Sequence, residues 1–548
     1  MLEQLRASRL LRWFFAILTG ILLVISFPKT GSLFPLAFVA WIPLLLVEQT
    51  YDQGRKSWGI FAQSYLAFLI YNIGTTWWIY YASEGGALMA FFANSLLMAI
   101  TFVIYHKLKR KLGKKWMLLL FLFLTTWISF EFLHFHWELS WPWLTIGNTM
   151  ASVPSLAQWF SITGVLGGSV WILSINVLIA LLLIKGLNKP VHLSKRVRFI
   201  AALVLAPMLV SLGIYYGKST EGTPFEVVVL QPNIDPYKEK FASSNEDQLE
   251  AILSMADKEV TKNTALVVAP ETALYPNPTS YSDLVIEDEL VQKVFYHKIM
   301  ERRAKWHNAS FLIGSSTYRF FPEKNSAASS FNEYLGMYEE NYNSSILFHD
   351  HRIPEIVHKS KLVLGVEKIP FIATLPFMEN FAIQMGGGSG TLGTESEPKV
   401  MSSKGVIFSP VVCYESIYGG FMAKQARQGS QFIAIITNDG WWRNTPGFKQ
   451  HFLFAGLRAI ESNKWVVRSA NTGTSGIINN RGEVVFATEW WVKDAFKSVI
   501  HLNESKTIYN YLGDFIGYFA LAGFVVFLGM RFVKGLHLTK KAESAEHY

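Results

Sequence analysis

A chain of 548 residues that is 51% apolar and 15% aromatic, with only 17% charged residues, lies outside the composition of a soluble globular protein. Its net charge of +9 is split into short basic clusters between apolar runs, which argues against nucleic acid as a partner and for membrane topology. One cysteine, Cys413, excludes an intramolecular disulfide, so any domain outside the cytoplasm relies on its core.

Eight segments approach the roughly 20 apolar residues that a helix needs to cross a bilayer. They are Trp13 to Phe27, Leu33 to Val47, Trp58 to Ala82, Ala87 to Tyr105, Trp116 to Leu133, Trp159 to Ile184, Phe199 to Tyr216 and Tyr509 to Met530. The first follows Arg6, Arg9 and Arg12 in the manner of a signal peptide, but no small-x-small cleavage site follows and it reads as a retained helix. The second carries Pro35 and Pro43. Asn72, Gln158 and Asn176 lie in or near these helices and read as bonds between them, while His134, His136 and Glu138 sit among Trp137, Trp141 and Trp143 as an interfacial loop.

Alternate loops are basic: Arg55 and Lys56, then Lys107 to Lys115, then Lys185 to Arg198, and finally the tail from Arg531. The positive-inside rule makes those loops and both termini cytoplasmic and puts residues 221 to 505 on the other side. The expected division is a multi-pass membrane domain over 1–219 with about seven helices, a catalytic domain over 220–505, and a last helix and cytoplasmic tail over 506–548.

From Phe225 the pattern turns to short apolar runs separated by amphipathic ones. Phe225 to Leu230, Ala265 to Ala269, Ser310 to Gly314, Val406 to Cys413, Phe432 to Thr437 and Trp465 to Ser469 read as buried strands. Helices are expected from the Ser244 cap to Lys262, over Asp283 to Trp306, over Ser416 to Gln428 and over Phe448 to Asn463, giving an α/β domain. Strand ends carry the reactive residues. Glu271 follows Val267-Val268-Ala269-Pro270, Cys413 follows Val411-Val412, and Lys359 and Lys361 follow the hairpin-like Asn343 to Val357. A thiol needs a base, and a cation beside it both favours the thiolate and holds an oxyanion. Taken singly, each residue has a plainer explanation: a core cysteine, a helix-capping glutamate, a solvated lysine.

Pro270-Glu271-Thr272, Lys359 with Leu362-Val363 and Glu367, and Cys413-Tyr414-Glu415 resemble the three motifs of the nitrilase (carbon-nitrogen hydrolase) superfamily. Thr437-Asn438-Asp439-Gly440-Trp441-Trp442, Arg458 to Glu461 and Arg468 to Gly473 are similar to its usual continuation. With apolar helices on both flanks, with Trp141-Pro142-Trp143 and with Gln231-Pro232-Asn233, the chain resembles the membrane-embedded apolipoprotein N-acyltransferase family of that superfamily. Leu364-Gly365-Val366 replaces the family's Pro-Phe-Gly before Glu367, and Phe241 stands where tryptophan is common.

The resemblance implies an α-β-β-α sandwich on the periplasmic side of a bacterial inner membrane, with Glu271, Lys359 and Cys413 catalytic. It implies a phospholipid acyl donor, a thioester on Cys413, and the amine of a diacylglyceryl lipoprotein as acceptor, with no cofactor or metal. Glu367, Tyr414, Glu415 and Phe241 are the expected supporting or substrate-binding residues, with the Tyr414 amide at the oxyanion. The family spacing selects Lys359 over Lys361, although residues two apart on an extended segment share a face. Two rival readings are a membrane-tethered amidase or nitrilase, and a transporter or receptor with a binding domain. Phe371 to Gly390, apolar and then glycine-rich, reads as a lid that touches lipid.

Overall fold

The structure is a computed structural model that describes residues 2–51, 56–112, 116–185, 190–238, 244–274, 284–350, 353–372, 374 and 391–545. Phe241 and most of the expected lid, residue 373 and residues 375–390, lie outside them. Two compact units emerge: residues 1–77, 88–213 and 514–548 form one, and residues 78–87 with 214–513 form the other.

The first unit is helical. Among the described residues, five helices are long and apolar enough to cross a membrane: Arg9–Ser26, Glu84–Arg110, Trp116–Leu133, Phe160–Ile184 and Lys195–Gly217. Phe34–Gln49 and Phe515–Met530 are apolar but shorter. The second expected segment breaks into a 3₁₀ turn, Phe34–Phe38, and a helix, Ile42–Gln49, because Pro35 and Pro43 each fit only the first turn of a helix. Asn176 satisfies the backbone freed at the break: its Oδ1 accepts from Trp41 N at 2.9 Å and its Nδ2 donates to Ala37 O at 2.7 Å. The helix Phe160–Lys185 kinks at Gly164, whose φ of 64° and ψ of −175° suit only a residue without Cβ.

The second unit contains two sheets. Its strands are β1 (Thr223–Gln231), β2 (Thr264–Val268), β3 (Ser310–Phe321), β4 (Ser330–Asn332), β5 (Met337–Phe348), β6 (Glu355–His358), β7 (Met401–Ser403), β8 (Val406–Val412), β9 (Phe432–Thr437), β10 (Val466–Ala470), β11 (Gly476–Ile478), β12 (Val484–Ala487) and β13 (Asp494–Leu502). One sheet runs β13-β1-β2-β3-β5-β4 with β6 also on β5, and the other runs β12-β11-β10-β9-β8-β7. β1, β2 and β3 are parallel, as are β8, β9 and β10. These central strands are apolar without alternation because both faces are covered.

Phe225 of β1 meets Phe432 of β9 with ring centroids 5.4 Å apart, and Ser469 of β10 donates to the Leu230 carbonyl at 2.7 Å, so the sheets pack face to face. Helices Asn245–Glu259 and Val294–Lys305 cover the first sheet through Leu249, Ile252, Leu253 and Ile299. Helices Gly419–Arg427 and Pro446–Ser462 follow β8 and β9 in the second sheet, which completes the α-β-β-α order. Ser244 caps its helix by accepting from Asp247 N at 3.1 Å. The helix expected from Asp283 begins only at Val294, after a 3₁₀ turn over Glu287–Gln292.

Candidate active site

The C-terminal ends of β2, β6, β8 and β9 converge, where the parallel strands of such folds present their ligands. Glu271 comes three residues after β2, on a turn laid directly against β3. Gly314 makes this approach possible, because a Cβ there would stand 2.6 Å from Glu271 Cα and from Thr272 N. The turn is pinned by Gly314 N donating to Pro270 O at 3.0 Å and Leu274 N donating to Gly314 O at 3.0 Å. The carboxylate is buried and fully engaged. Its Oε1 accepts from Asn343 Nδ2 at 2.8 Å and Lys359 Nζ at 3.1 Å, and its Oε2 accepts from Asn438 N at 3.0 Å.

Lys359 leaves β6 with its backbone N donating to Asn343 O at 2.7 Å, which turns the side chain inward. Its ammonium is inaccessible to solvent and bridges Glu271 and Glu367, the latter at 2.8 Å. Glu367 Oε2 accepts from Val363 N at 2.8 Å, so this carboxylate also closes its own loop. Burial would lower Lys359, yet Glu271 and Glu367, with Cys413, hold its ammonium well above the usual lysine range. Lys361 lies elsewhere, with its Nζ 5.3 Å from the centroid of the Tyr418 ring, and burial pulls it down.

Cys413 begins the 3₁₀ turn Cys413–Ile417 that follows β8, with a left-handed φ of 49°. Left-handed backbone is costly for a residue with Cβ and is kept where the surroundings over-determine it. Burial pushes the thiol well above its ordinary range, Glu271 adds to the rise, and Lys359 opposes it while Thr437 hydrogen-bonds it. Burial and Glu271 thus favour the protonated thiol, while Lys359 favours the thiolate.

The supporting residues fall into different places. Glu415 is a backbone staple: its Oε2 accepts from Val412 N at 2.8 Å and its Oε1 from Ser360 N at 2.6 Å, tying the cysteine turn to the residue after Lys359. Burial raises its carboxyl to about 7 against those bonds. The Tyr414 ring is buried edge-on to Tyr418, with centroids 5.4 Å apart.

Four residues, Asn343, Asp439, His451 and Arg468, come from stretches in which the sequence reading assigned no roles. Asn343 of β5 grips both Glu271 and Glu367, at 2.8 and 3.0 Å. Behind the Cys413 turn, His451 Nε2 lies 3.2 Å from Cys413 O and 2.7 Å from Ser416 Oγ, and its Nδ1 lies 3.0 Å from Asp439 Oδ1. Arg468 donates to Asp439 Oδ2 at 2.7 Å. Burial would raise Asp439, but Arg468 and His451 hold its carboxyl far below the usual range. The stretches Thr437 to Trp442 and Arg468 to Gly473 signalled that something lay there, whereas His451 sits on a helix that reads simply as amphipathic.

Residues 19–178 match the family model of the apolipoprotein N-acyltransferase N-terminal domain, and residues 227–507 match that of the carbon-nitrogen hydrolases. Over 536 residues the chain is 28% identical to the apolipoprotein N-acyltransferase of Chlorobaculum tepidum, covering 94% of this chain and 96% of that protein. It is 26% identical to the enzyme of the same name from Geobacter metallireducens, covering 94% of each. For that of Haemophilus influenzae the figure is 25%, covering 91% of each.

Proposed function

Because the chain belongs to the carbon-nitrogen hydrolase family, in its membrane-embedded apolipoprotein N-acyltransferase branch, we propose that it moves a fatty acyl chain from a phospholipid to the N-terminal amine of a diacylglyceryl-cysteine lipoprotein. The observation that carries this reading is the Lys359 ammonium paired with Glu271 at 3.1 Å, with the buried Cys413 thiol within electrostatic reach of both, in a chain that also has helices long and apolar enough to cross a membrane.

Glu271 takes the thiol proton as Sγ attacks an ester carbonyl of the phospholipid, which avoids a free buried thiolate. Lys359 and the Tyr414 amide hold the tetrahedral oxyanion, and Glu367 and Asn343 keep Lys359 and Glu271 in register. The ester C–O bond breaks, the lysophospholipid alkoxide recovers the proton from Glu271, and a thioester remains on Cys413. The lipoprotein amine then attacks the thioester carbonyl, Glu271 takes a proton from the amine, and the thiol is regenerated with an amide as product. The alternation of basic and non-basic loops along the sequence supports a bacterial inner-membrane protein with its catalytic unit facing the periplasm.

The decisive experiment incubates purified protein with radiolabelled phospholipid and a diacylated lipopeptide. A hydroxylamine-sensitive label on Cys413 that chases into the lipopeptide is expected, and Cys413→Ala abolishes both signals. Release of free fatty acid without transfer would assign the chain to membrane-tethered hydrolases instead. Reporter fusions after residues 115 and 262 test the orientation, with cytoplasmic and extracytoplasmic signals expected respectively.

A further inference from the structure

Arg443 closes the 3₁₀ turn Asp439–Trp442 with φ 53° and ψ −167°. That backbone is open to glycine and strained for any side chain with a Cβ. Elsewhere in this chain, Gly164 (φ 64°, ψ −175°) and Gly513 (φ 58°, ψ −142°) occupy it. An arginine kept where glycine would be relaxed calls for a role for its side chain.

The guanidinium is exposed and held in place by aromatic rings. Its central carbon lies 4.5 Å from the Tyr81 centroid and 5.8 Å from that of Tyr237, and it hydrogen-bonds the Tyr237 hydroxyl. The Tyr237 hydroxyl donates to Trp441 O at 2.7 Å, and the Tyr237 ring meets Trp441 edge-on, so the cage is itself anchored. Among the described residues Arg443 enters no ion pair, and its contacts there are with aromatic rings and the Tyr237 hydroxyl.

Chain connectivity links it to the site. Five residues upstream, Asn438 N holds Glu271 Oε2 at 3.0 Å, so the cation stands on the same turn as a holder of the proposed base. Tyr81 stands three residues before Glu84, where a 27-residue helix long and apolar enough to cross a membrane begins. Among the described residues, a guanidinium with no ion pair therefore lies five residues along the chain from Asn438, and the Tyr81 ring beneath it lies three residues before the start of an apolar helix long enough to cross a membrane.

We infer that Arg443 binds the phosphodiester of the acyl donor, whose two anionic oxygens match the parallel N–H donors of a stacked guanidinium. The inference deepens the transferase reading and rests on it. It names the group that would seat the phospholipid headgroup while the ester reaches Cys413.

The test uses the full chain in detergent, with acyl-Cys413 formation followed by intact mass. Phosphatidylglycerol is one donor and 4-nitrophenyl palmitate, which has no phosphate, is the other. Arg443→Gly removes the cation and relaxes the backbone, so the fold is preserved. The KM for phosphatidylglycerol is expected to rise about tenfold more than that for the phosphate-free ester, as for loss of one charged contact. Arg443→Lys, which keeps the charge, recovers part of the difference. Equal changes with both donors, or no change with phosphatidylglycerol, overturn the site. If the unsubstituted chain forms no acyl-enzyme with either donor, the transferase reading itself fails and the inference falls with it.

Discussion

His451 Nε2 stands 3.2 Å from the carbonyl oxygen of Cys413, so the residue proposed as nucleophile is gripped through its backbone by a histidine. The ring is oriented from behind by Asp439, and Ser416 Oγ donates to the same carbonyl at 2.7 Å. Ser416, His451 and Asp439 thus have the spacing of a serine-hydrolase triad, but all three are buried, and their hydrogen bonds converge on the cysteine turn instead of on substrate.

This pairing predicts that His451→Ala slows acyl-enzyme formation by about 10²-fold, the cost of a misplaced reacting atom. His451→Gln, which retains a donor, keeps more activity. Because Cys413 is the sole cysteine, its iodoacetamide labelling rate reads the same geometry without substrate. Labelling and turnover that both stay at their original values would remove the positioning role.

The two neighbouring lysines should separate cleanly. Lys359→Ala is expected to lose ~10²-fold or more in rate, since it removes the proposed oxyanion donor and leaves Glu271 and Glu367 without their shared cation. Lys361→Ala removes a contact with the Tyr418 ring and should keep most activity. Initial rates of the two purified variants decide the matter, and the reverse order would contradict the assignment.

Glu415 makes stability depend on pH. Its carboxyl is raised from 4.5 to about 7 by burial, so the folded state keeps a proton that the unfolded chain has lost between those values. Stability should therefore fall as pH rises from 4.5 to about 7, by about 3 kcal/mol at most. Melting curves of the parent chain and Glu415→Gln across that window are the check. The fall should flatten in the variant, and an unchanged slope would mean that other groups carry it.

Gly314→Ala tests the seat of Glu271, the proposed base. The added Cβ meets backbone atoms of Glu271 and Thr272, so the turn must shift and the carboxylate with it. A stability loss of about 1–3 kcal/mol is expected together with a marked fall in rate. Parental kinetics in this variant would show that Glu271 tolerates displacement.

What the sequence made legible follows from where information is local. Buried parallel strands are continuous apolar runs, so β1, β2, β8, β9 and β10 stood out, and Glu271 and Cys413 were visible as polar residues where such runs stop. Short edge strands such as β4, β7 and β12 have no comparable signature. Lys359 and Lys361 could not be told apart by alternation alone. What distinguishes them is the pairing of β5 with β6, which brings Asn343 O to Lys359 N. The hold of His451 on Cys413 spans 38 residues and depends on how a helix lands behind a strand, which no spacing rule encodes. Glu415 was legible as part of a motif, yet its three backbone partners appear only once the two loops are brought together.

Residues 78–87 belong to the catalytic unit although 126 residues of the other unit, 88–213, separate them from its remainder. Trp78 is buried there, its ring 4.8 Å from that of Trp442 and pressed so close over Gly447 that a Cβ at that position would overlap it. A ten-residue peptide thus acts as a plug borrowed from a distant part of the chain. Cutting the gene at residue 214 would leave an indole-sized hole beside the turn that carries Asn438 and Arg443. Unlike a hydrolase domain simply joined to an anchor, this one is completed by a loop that the chain delivers from between apolar helices.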